Sequence, residues 1–167
     1  MFLLLFLLTN SVHVLCLSHL NTGYDLVKNP LLNKGTSFTL EERQQYHLHG
    51  LIGSCDPIPL TVKVENLMTQ FHSKKSSLDK YIFLHTIQDS DETLYYAALC
   101  QYTTELMPYV YTPTVGEACV EWSHITRSVP RGVYLSIRDK GNIQSILQNY
   151  PLKNIKVTQV IFSPSYF

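Results

Sequence analysis

Apolar residues recur at helical spacing through the first two-thirds of the chain and give way to alternation in the last third. Val64, Leu67, Met68 and Phe71 fall one turn apart, which predicts an amphipathic helix over about 61–73. Ser73-Lys74-Lys75-Ser76-Ser77 breaks it, and Ser77 is the expected cap of a helix carrying Leu78, Tyr81, Ile82 and His85 on one face. Asp89 with Glu92 reads as a capping box for the next helix, whose inner face is Leu94, Ala98, Tyr102 and Leu106. Upstream, turn formers fill 23–39, and Thr39 with Glu42 predicts a capped helix to about Gly50 with Leu40, Arg43, His47 and Leu48 near one face. His47 and His49 are two apart, so on a helix they point to different sides and cannot share a metal ion.

Two prolines punctuate the middle of the chain. Pro108 lacks an N–H and disfavours the helical region for its predecessor, so the helix before it is predicted to end near Met107. Between Pro108 and Pro113 a stiff extended connector is expected to hold Tyr109 and Tyr111. Thr114 and Glu117 form a further capping box, opening a helix with Val115, Ala118, Cys119 and Trp122 on its inner face.

The period changes after the Pro130-Arg131-Gly132 turn. Val133, Leu135 and Ile137 alternate with Tyr134, Ser136 and Arg138, as in a half-buried strand. Ile143, Ile146, Leu147 and Tyr150 return to helical spacing until Pro151, and Ile155, Val157 and Gln159 alternate with Lys156, Thr158 and Val160 as a second strand. Strand, helix and strand in so short a span make a βαβ unit, which normally belongs to a parallel sheet with more strands. The expected fold is therefore a mainly α N-terminal helical domain over 22–127 leading into the first βαβ unit of a parallel α/β sheet over 128–160. An apolar leader at 1–21 and a tail at 161–167 flank it.

Residues 1–24 hold no charged side chain, and Phe2–Leu8 is an unbroken apolar run. It is too short to span a bilayer. As a secretory signal it lacks a preceding basic residue and a clear small-residue cleavage site, and as a mitochondrial presequence it lacks arginine. Its nature stays open between a signal peptide and an unusual N-terminus.

Composition narrows the partners more than the chemistry. The 167 residues suffice for a real core, at 45% apolar and 16% charged. Thirteen basic and thirteen acidic residues cancel, which leaves no electrostatic argument for nucleic acid or an anionic membrane as partner. Cys16, Cys55, Cys100 and Cys119 have wide spacings and no Cys-x-x-Cys pair, so no zinc or thioredoxin-type signal exists. Two disulfides and buried free thiols are the alternatives, the second favoured because two of the cysteines lie on apolar helix faces.

No glycine-rich phosphate loop, Gly-x-Ser-x-Gly elbow or His-Glu-x-x-His helix occurs. Tyr111 is a candidate general acid if a neighbouring cation tunes its phenol, and otherwise a tyrosine packed where a connector crosses the core. Arg131 could clamp a carboxylate, although a surface turn arginine is commoner. Lys74-Lys75 reads as a solvated turn rather than an anion site.

Read together, the segments say more than any one of them. Leu32-Asn33-Lys34-Gly35 with Phe38-Thr39, Glu42-Arg43 with His49-Gly50-Leu51, Met107-Pro108-x-Val110-Tyr111-Thr112-Pro113-Thr114-Val115-Gly116, and Pro130-Arg131-Gly132 with Ser136-Ile137-x-Asp139-x-Gly141 occur in that order. Over about residues 22–160 this resembles the N-terminal domain of malic enzymes, the NAD(P)-dependent decarboxylating malate dehydrogenases.

The resemblance implies oxidative decarboxylation of malate to pyruvate and CO₂, with NAD or NADP and Mg²⁺ or Mn²⁺ as cofactors. It gives Tyr111 the role of general acid, protonating the enolpyruvate left after decarboxylation. The family's other catalytic parts are a lysine base, an arginine on the substrate carboxylate, three acidic metal ligands and a cofactor domain. All lie downstream of the matched region, so no metal-binding or cofactor-binding residue is expected in this chain. A truncated malic enzyme, inactive alone, is the expectation, because Ile161-Phe162-Ser163-Pro164-Ser165-Tyr166-Phe167 departs from the family's Thr-Asp-Gly-Glu-Arg continuation. Asn66 and Ser90 stand where fumarate-activated members carry arginines, which argues against fumarate activation. A homo-oligomer is the default for the intact protein. The alternative is an inactive fragment that dimerises with a full-length malic enzyme subunit, with a mitochondrial or cytoplasmic location by family.

Overall fold

The computed structural model describes residues 2–8, 22–125, 132–149 and 157–163. Along the chain these form β1 (Phe2–Leu8), α1 (Tyr24–Lys28), α2 (Leu40–Gln45), α3 (Leu60–His72), α4 (Ser77–Ser90), α5 (Glu92–Gln101), α6 (Thr103–Val110), α7 (Thr114–Val120), α8 (Trp122–Ile125), β2 (Gly132–Ser136), α9 (Ile143–Gln148) and β3 (Val157–Ser163). The chain divides into two compact units, Leu17–Ala118 and Met1–Cys16 with Cys119–Phe167.

The first unit is helical because its polar residues cap and its apolar residues recur every third or fourth position. At α2 the expected box is present: Thr39 Oγ1 accepts the Glu42 N–H at 3.2 Å and Glu42 accepts the Thr39 N–H at 3.0 Å. The helix stops at Gln45, short of the expected Gly50. His47 turns left-handed there (φ 56°), and the Leu48 N–H reaches the Arg43 carbonyl at 2.8 Å, a glycine-type C-cap made without glycine. His47 and His49 therefore do not share a helix at all.

Downstream, α3 buries Val64, Leu67, Met68 and Phe71, as their spacing predicts. Two caps differ from expectation by one or two residues. Ser76, not Ser77, opens α4, pairing reciprocally with Asp79. Asp91, not Asp89, opens α5, accepting the Leu94 N–H at 2.9 Å, and it also closes α4. The helix expected to run through Tyr102 breaks there (φ −119°, ψ 37°) into α5 and α6.

Pro108 does not end α6 but sits inside it. In the last turn a proline removes only the bond to the Thr104 carbonyl, so the helix continues to Val110. The extended connector therefore shrinks to Tyr111–Pro113, with Thr112–Pro113 in the cis form. Thr114 is not the cap of α7 but its buried first residue, and the Pro113 carbonyl accepts from the Gly116 and Glu117 N–H groups.

The core of this unit joins four helices: Val64, Leu67, Met68 and Phe71 of α3, Leu84 of α4, Leu94, Tyr95 and Ala98 of α5, and Leu106 of α6. A smaller cluster of Leu26, Phe38 and Leu48 lies under the turn-rich N-terminal stretch. That stretch is latched to the helices by polar contacts: Glu92 N–H to the Pro30 carbonyl at 3.0 Å and Asn33 to the Ser90 carbonyl at 2.9 Å.

In the second unit the sheet order is β2-β1-β3, with β1 antiparallel to both neighbours. The apolar run expected as a leader is thus the central strand, which suits seven uninterrupted apolar residues hydrogen-bonded on both edges. β2 and β3 both run opposite to β1 and hence in the same direction, but β1 lies between them. The expected parallel pairing is not shown. β2 buries Val133 and Leu135 and exposes Tyr134, as alternation predicts. Ile137 instead falls in a 3₁₀ turn (Ile137–Asp139), because Asp139 accepts from both the backbone N–H (2.6 Å) and the hydroxyl (2.8 Å) of Ser136 and bends the chain. The same two bonds hold the Asp139 carboxyl below the usual aspartate range. β3 continues through Ser163, so the expected tail begins inside a strand.

Candidate functional site

Tyr111 occupies the C-cap of α6 in extended backbone (φ −130°, ψ −157°). It is pinned on both sides. Its N–H donates to the Met107 carbonyl at 2.9 Å, and its own carbonyl accepts the Val115 N–H at 2.9 Å, so α6 and α7 share it. The residue is 56% exposed. Its backbone is therefore fixed while the residue is exposed, so it is not a tyrosine packed where a connector crosses the core.

The neighbouring cation that a tuned phenol requires stands beside a different tyrosine. Lys80 of α4 donates to the Tyr109 hydroxyl at 3.3 Å, with its Nζ 4.7 Å from the Tyr109 ring centroid and 4.8 Å from that of Phe71. Phe71 and Tyr109 meet edge to face at 5.1 Å and 81°. Aromatic faces attract an ammonium through their quadrupole, so Lys80 closes a small cage on the last turn of α6. No spacing rule in the sequence joins positions 71, 80 and 109, which sit on three helices.

Two other charged groups have partners that the sequence reading did not foresee. Arg43, only 5% exposed, donates to the carbonyls of Phe38 (3.0 Å), Cys55 (2.7 Å) and Thr36 (3.1 Å), tying two loop segments to α2. Lys63 pairs with Asp91 at 2.7 Å, at 14% and 10% side-chain exposure, and also reaches the Lys34 carbonyl at 2.9 Å. A cleft of about 420 Å³ adjoins that pair, lined by Lys34, Ser37, Ile58, Leu60 and Thr93 among others. The Ser37 hydroxyl is buried there without a hydrogen-bond partner. Both lysines beside the cleft are already engaged, Lys34 with Glu42 and Lys63 with Asp91.

The remaining candidates separate. Arg131 and Cys16 lie outside the described residues, as do Pro130, Tyr150, Pro151, Ile155 and Lys156. Cys55 and Cys100 are free, exposed thiols, so two disulfides do not form, and these two are not the buried thiols of the favoured alternative. Cys119 is half-buried, and burial pushes its thiol pKa up, which makes it a poor nucleophile. Among the described residues no three His, Cys, Asp or Glu side chains group closely enough to hold a metal ion. Nor, among them, is any helix long and apolar enough to cross a membrane.

The family profile described as "Malic enzyme, N-terminal domain" matches residues 88–163, a span that includes Tyr111, β2 and β3. The mitochondrial NADP-dependent malic enzyme of Mus musculus is 46% identical over 138 residues. The chain carries a malic enzyme N-terminal domain. The human mitochondrial NADP-dependent enzyme is 45% identical and the NAD-dependent malic enzyme of Aeromonas hydrophila 43% identical, each over 138 residues. In all three cases 83% of this chain aligns but only 22–24% of the relative, so the chain spans about a quarter or less of the malic enzymes it matches.

Proposed function

We propose that this chain is the N-terminal portion of a malic enzyme, with the helical domain over 22–127 and the start of the α/β catalytic domain over 128–160. The whole enzyme oxidatively decarboxylates malate to pyruvate and CO₂ with reduction of NAD⁺ or NADP⁺. Tyr111 is the general acid that returns a proton to the enolpyruvate carbon. Identity of 46% across 138 residues, running through the Tyr-Thr-Pro-Thr-Val-Gly segment, carries this reading. In the whole enzyme a nicotinamide would supply the hydride acceptor and a divalent metal the Lewis acid, and we propose that residues outside this chain would hold both.

The geometry supports the assignment in one specific way. A proton donor must be placed to within a fraction of an ångström, yet must be open on the side from which substrate comes. The backbone of Tyr111 is fixed at both ends and the residue is exposed, which leaves room for the substrate, base, metal and cofactor on the open side.

The test joins this chain in frame to the remaining three-quarters of the mouse enzyme and follows malate-dependent NADP⁺ reduction with Mn²⁺. Activity that falls at least 100-fold in Tyr111→Phe, with binding of malate retained, supports the reading. Activity unchanged in that variant overturns the role of Tyr111. Malate-dependent reduction by the chain alone overturns the proposal that its catalytic partners lie elsewhere. A second reading, a non-catalytic module that dimerises with a full-length subunit, draws support from the exposed Tyr24, Leu31, Leu40, Leu51 and Val62. Co-purification with a tagged full-length malic enzyme tests it, and a strictly monomeric chain in such a mixture refutes it.

A further inference from the structure

We infer that Lys80 is a positioning residue for Tyr111, acting through Tyr109. The inference rests on the proposed role of Tyr111 as proton donor and adds the device that holds it.

The last turn of α6 has a built-in weakness. Helix ends fray, and Pro108 deprives the Thr104 carbonyl of its usual N–H partner in that turn. The Tyr111 N–H, bonded to the Met107 carbonyl, is the last helical bond before the chain turns toward α7. A turn so weakened holds its shape only if side chains fasten it to neighbouring helices. Tyr109 is the fastening. Its ring packs edge-on against Phe71 of α3, and its hydroxyl takes a hydrogen bond from Lys80 of α4. The Lys80 ammonium faces both rings at under 5 Å, so one cation joins three helices at the residue two positions before Tyr111. Val110 also packs on the core, but it carries no polar group that would fix the rotation of the turn.

The geometry gives Lys80 a role that neither bulk nor charge alone satisfies: a cation that donates to a phenol while lying over two rings. Arginine retains both functions and methionine retains neither. Backbone amide exchange in the ¹⁵N-labelled chain reads the outcome at single residues. In Lys80→Met the Tyr111 amide is expected to exchange at least tenfold faster, while amides of Val64–Phe71 and Leu94–Ala98 change less than twofold. Lys80→Arg restores the slow rate at Tyr111.

Unchanged exchange at Tyr111 in Lys80→Met overturns the inference, and so does uniform acceleration across α3, α5 and α6, which marks a merely structural lysine. Should Lys80→Met fail to fold, Tyr109→Phe decides, since it removes only the hydroxyl. At least threefold faster exchange at Tyr111 supports the clamp, and no change refutes it. Tyr111→Phe separates this inference from the reading beneath it. That variant keeps the slow amide at position 111 if the clamp exists, whatever its effect on turnover in the assembled enzyme.

Discussion

Arg43→Met removes a buried guanidinium on which three backbone carbonyls depend. The guanidinium sits 5% exposed and spends its donors on three backbone carbonyls, those of Phe38, Cys55 and Thr36. Hydrogen bonds from a charged donor contribute about 1.5–3 kcal/mol each, so the gross loss is about 4–9 kcal/mol. Against this, methionine avoids burying a charge, an effect of several kcal/mol that offsets part of the loss. Three carbonyls left without donors keep the balance unfavourable, and the net destabilisation is about 3 kcal/mol. For a unit of this size that corresponds to a fall in Tm of about 12–24 °C, read by far-ultraviolet circular dichroism. Arg43→Lys is expected to recover less than half of it, because one ammonium on a flexible stem cannot reach carbonyls spread around a planar fork. A fall below about 4 °C for Arg43→Met would refute the reasoning, since the three bonds would then contribute almost nothing net.

Leu106→Ala, which empties a fully buried site between α6 and its neighbours, is expected to cost about 3 kcal/mol in urea denaturation with the slope unchanged. His47→Gly should stabilise by about 0.5–1 kcal/mol, because the left-handed backbone at φ 56° suits glycine better than any residue with a Cβ. A destabilised His47→Gly protein would show that the imidazole itself holds the turn. Glu42 gives a pH dependence of definite sign. Burial raises its pKa, but the Lys34 hydrogen bond and charge and the Thr39 N–H outweigh burial and lower it below the ordinary value. A depressed folded pKa contributes stability above the unfolded value, near ~4.3, and loses it as pH falls through the folded value. Thermal melts between about pH 5 and 3 should therefore steepen in the wild type relative to Glu42→Gln, and parallel curves would contradict the assignment.

The helices were legible where one face is uniformly apolar. Val64, Leu67, Met68 and Phe71 declare α3 without help from the rest of the chain. What periodicity cannot choose is which of two adjacent polar residues caps. Ser76 wins over Ser77 because Asp79 lies three residues on and answers it, and Asp91 wins over Asp89 because Lys63 of another helix also holds it. Pro108 misled for a related reason. A proline's cost depends on how many helical bonds follow it, and only one further turn was at stake. The family resemblance was legible in the Tyr-Thr-Pro-Thr-Val-Gly segment around Tyr111. The cage on Tyr109 is closed by Lys80, 29 positions away, and has no local signature. The antiparallel placement of β1 was equally hidden, since an apolar run of seven does not say which strands it pairs with.

Asp91 is the only residue between α4 and α5, closing one helix and opening the next while bound to Lys63 of α3. The two helices thus mesh like gears on one shaft. A single residue inserted at this junction would turn α5 by about 100° about its axis. Each α5 residue would then take its successor's place, which carries Tyr95 to the exposed position of Tyr96 and puts Thr93 at the buried position of Leu94. The junction therefore tolerates substitution far better than a change of length. The Ser73–Ser76 turn, with no such shared residue, is where the chain can grow, and an insertion scan across 60–110 should recover folded protein there and nowhere near Asp91.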